Sequence, residues 1–170
     1  MQNTKRMVLL ALLIAMASVL HVVESWLPLP LPVPGIKLGL ANMVALLVIV
    51  IFGWRDAIYV AIVRVFLASL FAGIFLGPAF AMSVSGALLS TIVMAIIYYY
   101  WHATFSLIGI SIIGAVIHNV VQIGVAALFV SSMTLLWYLP YLILFALPTG
   151  FATGFTTIHF LTKVPKQIYR

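Results

Sequence analysis

The sequence predicts an all-α integral membrane protein, a bundle of six transmembrane helices. Two observations carry this. Of 170 residues, 66% are hydrophobic and only 6% charged, against about 25% charged in a soluble domain, so the chain cannot cover a water-facing surface. Its apolar residues also fall in runs close to the roughly 20 residues that a helix needs to cross a hydrocarbon core about 30 Å thick. These runs are too many for a signal peptide followed by a globular domain.

Spans are expected over 7–26, 38–54, 57–76, 79–101, 105–130 and 135–161. The second is short. The sixth is long and holds Pro140 and Pro148, and a proline inside a helix removes a backbone hydrogen bond and kinks it. Residues 27–35 read Leu-Pro-Leu-Pro-Leu-Pro-Val-Pro-Gly. Alternating prolines forbid helix and favour extended backbone, so this is the one substantial loop. The other connections, near 53–56, 76–78, 101–102 and 131–134, are short. With no repeat and no second domain, residues 1–170 are expected to form a single transmembrane domain.

Six spans put both termini on one side. That side would carry Lys5, Arg6, Arg55, Lys163, Lys166 and Arg170, and the other only Lys37. Lysine and arginine favour the cytoplasmic side, so both termini are expected to be cytoplasmic, in the plasma membrane. Trp26, Trp137 and Tyr138 would form an outer aromatic belt, and Trp54 and Tyr98-Tyr99-Tyr100-Trp101 an inner one. This placement also accounts for the net charge of +6. The basic residues sit at helix ends, where anionic lipid attracts them. They form no stripe with interleaved aromatics, which argues against nucleic acid as a partner.

The absence of cysteine excludes disulfides and thiolate chemistry. Two acids in the whole chain leave no carboxylate cluster for Mg-diphosphate chemistry, and no phosphate-binding glycine loop is present. The protein is therefore expected not to be an enzyme and to need no cofactor.

Arg64 stands near the middle of the third span, where an arginine costs about 2.5–3.5 kcal/mol on insertion scales. It should face the interior, either as a binding group for an anionic or carbonyl-rich ligand or as a packing salt bridge. Only Glu24 and Asp56 could pair with it. On the fifth span, His118 and Gln122 are four apart and share a face, and Asn119 lies beside them. Buried amide and imidazole groups need hydrogen-bond partners in lipid, so these residues are either ligand contacts or interhelical polar glue. A metal site is not expected, since His118 lacks a second ligand at suitable spacing. His21, Glu24, Ser25, Lys37, Asn42, Ser83 and Ser85 fall towards the outer side and imply a polar pocket under the proline loop. Each also has a plain reading: Lys37 can snorkel, and a membrane serine commonly bonds its own helix. Ala11 with Ala15, and Ala146, Gly150 and Gly154, have the spacing that lets helices approach closely, within the bundle or against a partner.

Pro34-Gly35-Ile-Lys37-Leu-Gly-Leu-Ala-Asn42, the Arg64 helix followed by Gly73, the helix from Ser83 to Ser90, and Gly114-Ala-Val-Ile-His118-Asn119-Val-Val-Gln122 resemble the Gx transporter family, often labelled heptaprenyl diphosphate synthase component I. The family is similar in turn to the substrate-binding S components of energy-coupling factor (ECF) transporters. The resemblance implies a six-helix bundle that binds a small molecule near its outer face and docks on a T component driven by ATPase subunits. It implies a ligand site drawn from Lys37, Asn42, Ser83, His118, Asn119 and Gln122, which Arg64 joins on the strength of its buried charge, and docking through Ala11 and Ala15. The expected function is a substrate-binding membrane subunit of a small-molecule importer. The alternative is a noncatalytic membrane partner of a polyprenyl diphosphate or quinone pathway enzyme, or an electron-transfer module.

Overall fold

In a bilayer every backbone N–H and C=O must be satisfied within the protein, so a single apolar run can cross only as a helix. The computed structural model, which describes residues 2–26 and 39–164, follows this rule. Its α-helices are α1 (Gln2–Trp26), α2 (Asn42–Phe52), α3 (Trp54–Phe71), α4 (Pro78–Trp101), α5 (Leu107–Val130) and α6 (Leu139–Lys163). Four stretches are long and apolar enough to cross a membrane: Thr4–Glu24, Pro78–Trp101, Leu107–Val130 and Met133–Lys163. The protein is a multi-pass membrane protein. Lys37, Lys166, Arg170 and the proline run lie outside the described residues.

The second expected span is corrected most. It narrows from 38–54 to the 11 residues of α2, about 16 Å of helix at 1.5 Å per residue, roughly half a crossing. Only Met43 and Val50 of α2 escape full burial, and the helix packs against all five others. A helix apolar on every side belongs at the centre of a bundle, and α2 is its central post. It ends at Gly53, whose φ of 96° suits glycine. α3 starts at the very next residue, so the third span begins before 57 and stops at Phe71 rather than 76.

Among the described residues, Lys5, Arg6, Arg55 and Lys163 gather at one end. Leu9 of α1, Phe52 of α2 and Lys163 of α6 line a common groove of about 300 Å³, so α1 starts where α6 finishes. Arg6 bonds Asp56 at 2.5 Å and ties the start of α1 to that of α3. At the opposite end, a short 3-10 helix (Met133–Tyr138) leads into α6. Pro140 therefore sits in the first turn of α6, where no backbone bond is lost; only Pro148 is interior.

The small-residue stripe of α6 is spent inside the bundle. A Cβ on Gly150 would stand 2.6 Å from the Ile112 Cα, and one on Gly154 2.7 Å from the Ile108 Cα. The α5 and α6 backbones meet there, joined by a 2.8 Å bond between the Ser111 and Thr153 hydroxyls. The stripe of α1 is the reverse, with Ala11 and Ala15 both exposed.

Candidate functional site

The start of α2 lies within the bundle rather than at its surface. Gly39 and Ala41 are buried although neither belongs to the helix. Non-helical backbone at membrane depth is tolerated only where protein or an aqueous cavity surrounds it. Here a side chain meets the need. The Glu24 carboxylate, in the last turn of α1, accepts hydrogen bonds from the Gly39 N–H and, at 3.2 Å, from the Leu40 N–H. Gly39 has a φ of 82°, a conformation open chiefly to glycine.

Arg64 arrives at this point from α3. It is the eleventh residue of that helix, about 15 Å along its axis, and only 1% exposed. Its Nη2 donates to the Asn42 Oδ1 at 3.1 Å. Its other attraction is to the Glu24 carboxylate, which lies within electrostatic reach. The second acid, Asp56, is held by Arg6. The insertion cost of Arg64 is thus offset by one amide and one carboxylate, from two different helices.

α5 closes the cluster. A Cβ on Gly86 of α4 would stand 3.0 Å from the His118 Nδ1 and 3.1 Å from the Gln122 Cγ. His118 and Gln122 therefore share the face that meets α4, as their spacing predicts. A Cβ on Gly39 would be 3.5 Å from the His118 Cδ2, which sets the imidazole between α4 and the approach to α2. Ser83 is fully buried one turn before Gly86. Ser85 follows the plain reading and bonds the Ala81 carbonyl of its own helix at 2.7 Å.

The structure brings together Asn42, Arg64 and His118, with Gln122 and Ser83 alongside. Asn119 is placed differently. Its Nδ2 donates to the Leu142 carbonyl of α6 at 3.0 Å, because neighbouring residues of a helix point about 100° apart. Lys37 lies outside the described residues. Glu24, expected in the outer polar pocket and as a possible partner of Arg64 but not among the ligand residues, joins the cluster by holding the backbone before α2.

Hydrogen-bonding capacity is left over. The Asn42 Nδ2, Arg64 Nε, Ser83 Oγ and Asn119 Oδ1 are buried without a hydrogen-bond partner among the described residues. A buried polar atom left unpaired costs about 1–3 kcal/mol, so these atoms favour whatever can bond to them. The cluster can hold a molecule with both acceptors and donors. The chain's two carboxylates, Glu24 in the cluster and Asp56 outside it, stand apart, each with its own partners, and do not form a paired acid and base.

A buried ionic centre inside a bundle with four membrane-crossing stretches defines the class: a polytopic helical membrane protein with a polar core. More particularly, the family model for heptaprenyl diphosphate synthase component I matches residues 13–160, and the chain belongs to that family. The match takes in every member of the cluster from Glu24 to Gln122. No curated protein and no solved structure matches the chain.

Proposed function

We propose that the protein is the substrate-binding membrane subunit of a small-molecule importer, with no chemistry of its own. The observation that carries this reading is the convergence of Glu24, Asn42, Arg64 and His118 on the buried start of a half-length helix, with donors and an acceptor still unspent. A purely structural centre gains nothing from polar atoms it cannot satisfy. The ligand site comprises Asn42, Arg64, Ser83, His118 and Gln122, with Lys37 and Asn119 at its edges. Both termini face the cytoplasm from the plasma membrane. The exposed Ala11 and Ala15 dock on a T component, and ATPase subunits supply the energy. A carbonyl- or carboxylate-bearing small molecule is the ligand class that suits an arginine and amide donors. The test is to purify the protein from its native membrane, denature it and identify what it releases by mass spectrometry. A stoichiometric polar small molecule, lost in Arg64→Ala, is expected. Release of none from either protein counts against capture.

The family description favours a second reading, a noncatalytic membrane partner of a prenyl diphosphate enzyme. Two separated carboxylates, Glu24 and Asp56, suit a subunit that brings no Mg-diphosphate site. Co-purification with a prenyl synthase and with no transporter subunit would favour it.

A further inference from the structure

A second groove, which shares no lining residue with the polar centre, lies at the basic end of the bundle. There the start of α3 and the last turns of α4 enclose a groove of about 500 Å³, lined by Trp54, Ile58, Ile92, Ile96, Tyr99 and Tyr100. Its walls are almost wholly apolar, yet it faces outward: Trp54 is 51% exposed and both tyrosines about 70%. Its rim has the tryptophan and tyrosine composition that is enriched at the headgroup level of a bilayer.

The rim also carries a cation. The Arg55 guanidinium stands 5.3 Å from the centre of the Trp54 ring. The adjacent carboxylate, Asp56, is already engaged by Arg6, so Arg55 has no acidic partner among the described residues. Lys5, Arg6 and Lys163 raise the positive potential of the same end. An apolar trough that begins beneath an uncompensated guanidinium suits an amphiphile with an anionic head.

We propose that this groove is a binding site for one anionic phospholipid. An acyl chain lies along Ile58, Ile92 and Ile96. The phosphate meets Arg55, whose planar guanidinium suits two phosphate oxygens at once. The Tyr99 and Tyr100 hydroxyls add donors at the rim. The lipid would bridge α3 and α4, which both line the groove.

Native mass spectrometry tests this on the purified full-length chain, supplied with phosphatidylglycerol or phosphatidylcholine of identical acyl chains. One phosphatidylglycerol should be retained per protein, with a preference of about five- to tenfold, the worth of roughly one basic residue at an anionic surface. Arg55→Gln should bring the two lipids to parity, and Arg55→Lys should restore part of the preference. Ile96→Trp, on the groove wall, should reduce retention of both. Arg64→Ala, which removes no residue of the groove wall, should change neither, which separates this site from the polar centre. Equal retention of the two lipids by the unmodified protein would overturn the proposal. So would an Arg55→Gln variant that keeps its preference, or displacement of the phospholipid by an equimolar prenyl diphosphate.

Discussion

Arg64 donates a hydrogen bond to Asn42 across 3.1 Å, joining the middle of α3 to the first turn of the central helix. If the pair serves a ligand, Arg64→Ala should weaken binding by about 1–3 kcal/mol, the range for a charged or buried hydrogen-bond partner. Folding should survive, because interhelical hydrogen bonds in membranes average only about 0.6 kcal/mol. Ligand affinity and thermal stability measured on the same variant separate the cases. Lost stability with unchanged affinity would make the arginine scaffold.

Glu24 separates charge from hydrogen bonding. Its carboxylate accepts from the Gly39 and Leu40 N–H groups and attracts Arg64. Glu24→Gln keeps an acceptor and should be the milder change. Glu24→Ala leaves two backbone donors unpaired in the interior and should lower stability by about 1–3 kcal/mol. Equal melting temperatures for the two variants would show that the backbone bonds contribute nothing.

Gly150→Val probes the contact between α5 and α6. Its Cβ would stand 2.6 Å from a backbone atom of Ile112, which cannot rotate away. Overpacking of this kind costs about 1–3 kcal/mol, so a lower melting temperature is expected, with the helices splayed. Gly124, whose Cβ would meet nothing within 4 Å, is the control; Gly124→Ala should be tolerated.

Ala11 and Ala15 are exposed, so Ala11→Trp with Ala15→Trp should leave the melting temperature and ligand affinity unchanged. Association with a T component should be abolished. Co-purification that persists in the double variant would remove the docking role.

The chain has no cysteine of its own, so single cysteines report sidedness cleanly. Cysteines at Gln2 and Gln167 should both resist an impermeant thiol reagent in intact cells and react after permeabilisation. Labelling of either from outside would reverse the orientation.

Hydropathy reveals that the chain crosses a membrane as helices, because the cost of unpaired backbone in lipid leaves little choice. It does not reveal that α2 is half a crossing. The run from Leu38 to Phe52 is interrupted only by Asn42 in an otherwise apolar stretch, and the helix begins at Asn42 because a carboxylate from another helix holds the N–H groups before it. That choice is tertiary. The pairing of His118 with Gln122 is legible from their spacing. The departure of Asn119 towards α6 is legible by the same geometry, one residue on. Small-residue spacing is silent about environment: Gly150 and Gly154 meet the backbone of α5 while Ala11 and Ala15 face outward, and only packing tells them apart.

The half-length of α2 has an electrical consequence. Its first residue bonds Arg64 about 15 Å along α3, and with α3 starting at the inner surface, as the proposed orientation has it, that is half the depth of a hydrocarbon core of about 30 Å. A singly charged ligand reaching that depth would traverse about half the transmembrane voltage, worth about 1 kcal/mol per 100 mV. For entry from outside a cell that is negative within, an anion would bind several-fold more weakly as the voltage grows, a cation more tightly, and a zwitterion unchanged. If the protein captures a small molecule as proposed, affinity measured in proteoliposomes at two imposed potentials should report that molecule's net charge, with a voltage-independent affinity expected for one that is neutral overall.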